Sequence, residues 1–215
     1  MRLAIFGGTG VVGATLLDQA LAAGHDVRAL VRDPARLPTP PRSVDRLAVT
    51  RGDAADPTAV KEVVAGCDAV LSTLGGVRGP ESMSAGIDVI LTAMREYGVR
   101  RLVVMQGFHL TVPGDPRNVG KLLIGPIMRI ALPAVAHHAA LMGERLRAAD
   151  DIDWTLVRAP RVVDGPPTGR RRTGRLRLGP WSTVTNGDVA RFMLDCLDGA
   201  GHVHAAPMIA GPRRA

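Results

Sequence analysis

The feature that most constrains this chain is the glycine cluster Gly7-Gly8-Thr9-Gly10-Val11-Val12-Gly13, which directly follows the apolar run Leu3-Ala4-Ile5-Phe6. A short apolar run closed by turn residues reads as a buried strand. Leu16, Leu17, Ala20 and Leu21 then share one face of a helix that stops at Gly24. A strand that turns within a few residues into a helix needs glycine for three reasons: the tight turn, close approach of backbone to a pyrophosphate, and helix–strand packing. The N–H groups at the start of that helix would face the phosphates. A glycine-rich turn without a ligand is the alternative reading.

The same alternation continues along the chain. Apolar runs at 27–31, 47–49, 69–71, 102–105 and 155–157 read as strands. Between them, Asp56-Pro57 caps and opens a helix through Val60, Val63 and Val64. Met83, Ile87, Ile90, Leu91 and Met94 form a second stripe ending at Gly98, and Val135, Ala139, Met142 and Leu146 a third. Near-continuous apolar strands alternating with helices predict an α/β fold, a single Rossmann-type doubly wound parallel sheet with helices on both faces. At roughly 150 residues per domain, 1–215 is expected to be one domain. Ligands of such sheets sit beyond the carboxyl ends of the strands, in the loops after Phe6, Val31, Thr50, Leu71, Met105 and Val157. Two Gly/Pro-rich excursions break the rhythm, so segments 107–136 and 159–182 are expected to wall a substrate pocket.

Composition narrows the function classes. Apolar residues at 46% and charged residues at 22% exclude a disordered chain, and aromatics at 3% leave the core to aliphatic residues and Met. Cys67 and Cys196 form no CxxC and no metal site; they read as buried thiols of a reducing compartment. The opening residues carry no signal peptide pattern and no run approaches ~18 apolar residues, so a cytoplasmic protein without a membrane span is expected. The net charge of +7 comes almost wholly from arginine, since Lys61 and Lys121 are the only lysines. With abundant Ala, Gly and Pro this reads as coding bias, and nucleic-acid binding is not expected.

NAD-binding units place an acid after the second strand to hold the ribose hydroxyls. Here Arg32 stands there, with Arg36 four residues on. Two guanidiniums can fork onto a 2′-phosphate that an acid would repel, which points to NADP(H). Asp33-Pro34 reads instead as a helix cap with its first-turn proline. Two solvated arginines are the alternative.

With these residues in view, the chain resembles the atypical short-chain dehydrogenase/reductase superfamily, and most closely its flavin reductase/biliverdin-IXβ reductase branch. The matching text is AIFGGTG (4–10), ALVRDPARLP (29–38), Gly52-Asp53, GCDAVLSTLG (66–75), MSAGIDVILTAMREYGVRRLVV (83–104) and DVARFMLDCL (188–197). The resemblance implies that Asp53 and Ala54 meet the adenine and that Leu74, Gly75 and Gly76 line the adenosine ribose. It also implies that Met105, Gln106, Pro160 and Arg161 approach the nicotinamide. For Asp53 a turn-capping carboxylate is the alternative.

Several positions depart from the family pattern. The Tyr-x-x-x-Lys pair is absent: the only tyrosine, Tyr97, precedes Gly98 and has no lysine four residues on. Gln106 stands where relatives carry serine, Arg161 where the flavin reductase branch has histidine, and Val11 and Val12 replace polar residues of the phosphate turn. Gln106, His109 and His138 are therefore the candidate catalytic residues, the histidines for their pKa near 6.5. A surface cap is the alternative for His137-His138. His202 and His204 read as one face of a C-terminal strand, and Arg170 to Arg177 as a solvated loop, an anion-attracting rim or a nucleic-acid patch. Thr185-Asn186-Gly187-Asp188 reads as a capping box.

The function that follows is NADPH-dependent hydride transfer to a planar conjugated acceptor such as a flavin, quinone or tetrapyrrole. Such an acceptor delocalises charge and takes its proton from solvent. The alternatives are an epimerase, dehydratase or ketoreductase of the same superfamily, and a non-enzymatic NADP redox sensor. The expected partner is an acidic or aromatic small molecule, and the expected assembly a monomer or homodimer.

Overall fold

The computed structural model describes residues 1–37, 44–75, 80–116, 126–127 and 129–212. The first half runs β1 (Arg2–Phe6), α1 (Val11–Ala22), β2 (Asp26–Val31), β3 (Leu47–Arg51), α2 (Pro57–Val64), β4 (Ala69–Ser72) and α3 (Glu81–Glu96). The second runs β5 (Arg101–Gly107), α4 (Pro133–Arg147), β6 (Asp153–Ala159), β7 (Arg161–Val163), β8 (Arg172–Gly174), β9 (Thr183–Thr185), α5 (Asn186–Asp195) and β10 (Met208–Ala210). Among the described residues eight strands form one sheet in the order β3-β2-β1-β4-β5-β6-β10-β8, and β7 pairs with β9 apart from it. The first six follow the doubly wound Rossmann order. The sequence placed these strands and the helices between them.

Alternation along each strand divides the core. Leu3 and Ile5 of β1 face α1 and α5, together with Leu16, Leu17, Val103, Val157 and Met193. Ala4 and Phe6 face α2, α3 and α4, together with Val60, Ile87, Ile90, Leu102, Val104 and Met142. Side chains two apart share a face, so each strand feeds both layers and must be apolar throughout. Asp56 caps α2 by accepting from Thr58 N at 2.9 Å, and Asp33 caps the short helix Pro34–Arg36 by accepting from Ala35 N at 3.1 Å.

The sheet is parallel as expected except at one edge, where β8 runs antiparallel to β10. Two expectations are corrected. His202 and His204 lie in a turn, not a strand; the strand is β10, further on. His204 takes a positive φ of 51°, which interrupts extended backbone, and its ring bonds to Ile152 O at 2.9 Å. The capping box is one-sided. Thr185 Oγ1 accepts from Asp188 N at 3.0 Å, but the Asp188 carboxylate turns away to accept from Thr168 N, Thr168 Oγ1 and Gly169 N. Burial works against charge on Asp188, and these hydrogen bonds outweigh it, holding the carboxyl below its ordinary pKa.

Candidate functional site

The chain order reverses between β1 and β4, and a cleft of about 360 Å³ opens at their carboxyl ends. Gly7, Thr9 and Gly10 enter it from the turn after β1, Arg32 and Arg36 from beyond β2, and Asp53 and Ala54 from beyond β3. Leu74 and Gly75 enter it from beyond β4. Gly76 lies outside the described residues.

The glycines divide by role. Gly7 sits at φ +84°, where an added Cβ would lie 2.6 Å from Thr73 Oγ1. A Cβ on Gly13 would lie 2.0 Å from Gly7 O, so only glycine lets α1 descend onto the strand turn. At Gly10 the nearest atom to an added Cβ is 3.4 Å away, so a side chain there would project with little internal obstruction. Gly10 is also the N-cap of α1, with no side-chain cap, whereas Asp56 and Thr185 cap α2 and α5. The first N–H groups of α1 are thus left to an external acceptor, and the helix dipole favours an anion there. Val11 is exposed and Val12 packs into the core, and neither lines the cleft, whereas Thr9 of the same turn does.

Arg32 and Arg36 are exposed at the cleft and have no carboxylate partner among the described residues. Asp53 accepts from Ala55 N at 2.9 Å, so its carboxylate caps a turn while its residue lines the cleft. Sequence reasoning missed Thr73 and Ser82, which also line it. Thr73 donates from Oγ1 to Phe6 O and Gly7 O, at 3.2 Å each, and clamps the glycine turn to β4. Its place at the end of a strand next to the reversal was the available signal.

The candidate catalytic residues sit beyond the cleft. Gln106 is buried; its Nε2 lies 3.2 Å from Met83 Sδ and its Oε1 accepts from Gly107 N at 2.8 Å. His109 is half-buried with its ring folded against Gly107. His138 Nδ1 is 2.7 Å from Ser84 Oγ, tying α4 to the α3 turn that carries Ser82 and Met83. Met105 is half-buried on the α1–α5 face. Pro160 is buried and Arg161 exposed; neither lines the cleft, and Arg161 pairs with Thr183 between β7 and β9. Tyr97 caps the far end of α3, 43% exposed. Four residues on, Arg101 is held by the Cys196 and Asp153 carbonyls and by Thr155 Oγ1. Both lie at the amino end of β5, opposite the cleft.

The arginine excursion is largely structural. Arg171 pairs with Asp195 and lies over the Phe192 ring at 5.6 Å, Arg172 donates to Gly211 O at 3.0 Å, and Arg175 to Gly114 O at 3.0 Å. Both cysteines are buried and free; burial pushes the Cys67 thiol up and that of Cys196 up to about 11, so neither supplies a thiolate. No helix among the described residues is long and apolar enough to cross a membrane.

Comparison with known proteins agrees with this geometry. The chain is 29% identical over 198 residues to a 2-alkyl-3-oxoalkanoate reductase of Stenotrophomonas maltophilia, covering 83% of this chain and 58% of that protein. It therefore spans less than two thirds of that relative's length. Two solved structures share the fold. One is the oxidoreductase ylbE of Lactococcus lactis, with TM-score 0.81 and 17% identity over 100% of this chain and 93% of that one. The other is the anaerobilin reductase ChuY of Escherichia coli O157:H7, with TM-score 0.79 and 18% identity over 100% and 99%. A family model described as NAD(P)H-binding matches residues 7–200, and the chain belongs to that family.

Proposed function

We propose that this protein is an NADPH-dependent reductase that delivers hydride to a planar conjugated acceptor. The observation that carries the cofactor choice is the pair Arg32 and Arg36, exposed at the cleft without a carboxylate partner among the described residues. Each can make a charge-assisted contact to a 2′-phosphate. The uncapped start of α1 and the open face of Gly10 suit a pyrophosphate. When bound, the nicotinamide supplies the hydride. The protein's part is to orient it and the acceptor and to exclude water. Gln106 holds the end of β5 through Gly107 N and rests on Met83, a positioning role that needs no ionisation.

The acceptor class follows from the proton inventory. Tyr97 and Arg101 lie at the wrong end of the sheet, and Gln106 cannot ionise. A flavin, quinone or tetrapyrrole tolerates such a site because it takes its proton from solvent. The test is NADPH and NADH titration, followed by NADPH oxidation with flavin and quinone acceptors. NADPH should bind at least about ten-fold more tightly, since one charge-assisted contact supplies that ratio. The double variant Arg32→Ala/Arg36→Ala should lose the preference; equal affinity in the unaltered protein would refute it. Binding without oxidation of any acceptor would mark a redox sensor.

Ketone reduction is the second reading, favoured by the likeness to the oxoalkanoate reductase. It requires a protein proton donor, and His138, bonded to Ser84 beside the cleft, is the candidate. A thousand-fold loss in His138→Ala with cofactor affinity unchanged would select it, since general acids contribute about 10²–10⁴-fold.

A further inference from the structure

We propose that a second cavity, between α4, β6 and the turn at 202–207, binds a small aromatic carboxylate. Trp154, Leu156 and Arg158 alternate onto the same face of β6 and floor a space of about 400 Å³. Ala206 and Pro207 close one side, and Val112 and Pro113 another. The cavity shares no residue with the cleft at β1 and β4, so its ligand need not touch the nucleotide.

The charge of the lining is one-sided. Arg147, Arg158, Arg175, His202 and His204 face this space, and among the described residues no Asp or Glu does. Arg158 is fully buried and neutralised: its guanidinium bonds both Asp115 carboxylate oxygens, at 2.6 and 2.7 Å, as well as the Leu110 and Ala206 carbonyls. It belongs to the wall. Arg147 and Arg175 differ, because neither has a carboxylate partner among the described residues. On the same helix as Arg147, Arg145 is already paired with Asp88 at 3.0 Å.

Two glycines lie beside these guanidiniums at the cavity. A Cβ on Gly143 would lie 3.5 Å from Arg147 Nη1, and one on Gly114 would lie 2.7 Å from Arg175 Nη1. Arg175 is further held by the Gly114 carbonyl at 3.0 Å. The Gly114 site in particular would not accept a side chain without displacing the arginine.

Two unneutralised cations over a tryptophan floor specify a ligand with an anionic head and a flat apolar body. Guanidinium forks match carboxylate geometry, and the volume lies within the range of small-molecule sites. A bare inorganic anion would leave the apolar floor at Trp154 and Leu156 unfilled.

The chain holds two tryptophans, Trp181 at 83% exposed and Trp154 at 7%. Trp181→Phe, a surface change, leaves Trp154 as the single emitting reporter inside the cavity. This protein is titrated by calorimetry and fluorescence with cinnamate, with its neutral amide cinnamamide, and with inorganic phosphate. Cinnamate should bind saturably, one per chain, and change Trp154 emission. Cinnamamide should bind at least about ten-fold more weakly, and phosphate should leave Trp154 unmoved. Arg147→Gln and Arg175→Gln, both exposed, should each weaken cinnamate by about three- to ten-fold, and together erase the preference for acid over amide. NADPH affinity should stay unchanged in all of them. Equal binding of acid and amide, no saturable cinnamate binding, or indifference to both arginine changes would each overturn the proposal. So would cinnamate binding that is lost only when NADPH is added, which would place it in the nucleotide cleft.

Discussion

The two halves of the sheet treat their polar groups in opposite ways. In the half from β1 to α3, the start of α1 is uncapped and Arg32 and Arg36 stand without carboxylate partners among the described residues. In the half from β5 to β10, several charges are absorbed internally. Arg158 and Asp115 pair in the core, Arg101 gathers carbonyls, Arg171 holds Asp195, and Asp188 holds the 165–169 segment. A tight strand–turn–helix has its geometry set by local sterics, so its N–H groups can be left for a ligand. Long irregular excursions lack that local determination and are pinned by buried polar contacts instead. The cation-lined cavity at Trp154 stands out because Arg147 and Arg175 have no carboxylate partner among the described residues.

That contrast can be broken by substitution. Asp115→Ala should have the largest effect, about 3–5 kcal/mol of stability, because it strands Arg158 as a buried unpaired charge. Urea unfolding measures it, and NADPH affinity of the folded fraction should move less than a few-fold. A large affinity loss would mean the halves are not independent.

Gly10→Val comes next. The turn has room for the side chain internally, so the fold should persist while NADPH binding falls by at least about 100-fold, as two charge-assisted contacts are blocked. Gly13→Val should instead fail to fold, since its Cβ would meet Gly7 O at 2.0 Å. Circular dichroism and calorimetry separate the two outcomes, and retained affinity in a folded Gly10→Val would reduce the cluster to a turn.

Asp188→Asn should cost about 1–3 kcal/mol by weakening the bonds from Thr168 and Gly169. The folded carboxyl titrates below its ordinary value, so its contribution is present above that value and lost as pH falls through the folded pKa. The stability gap between wild type and variant should therefore close in acid, read as thermal midpoints across pH. A gap that stayed constant would remove the charge from the account.

Tyr97→Phe should do least, leaving turnover within a few-fold, because Tyr97 caps α3 at the amino end of the sheet. A hundred-fold loss would restore a tyrosine mechanism.

Much of the first half was legible along the chain. The glycine spacing, the Asp56-Pro57 and Asp33-Pro34 caps and the arginines after β2 are all local signals, each with a local physical cause. Thr73 was missed because its partners, Phe6 O and Gly7 O, lie far away in sequence. The His202-Val203-His204 alternation misled because period two also arises by chance in a turn. There, ring contacts with Phe192 and Trp154 and the positive φ of His204 decide the backbone.

The sequence by itself determined the strand–helix alternation, the glycine turn after β1 and the lack of a Tyr-x-x-x-Lys spacing, because short-range sterics, periodicity and residue identity suffice for each. Only the tertiary structure decided that Arg158 is a core residue and that Asp188 turns outward from its helix. It alone left Arg147 and Arg175 facing a cavity while Arg145 and Arg171 found carboxylates. Whether a charge is neutralised depends on residues dozens of positions apart meeting across the fold, and no spacing along the chain encodes that meeting.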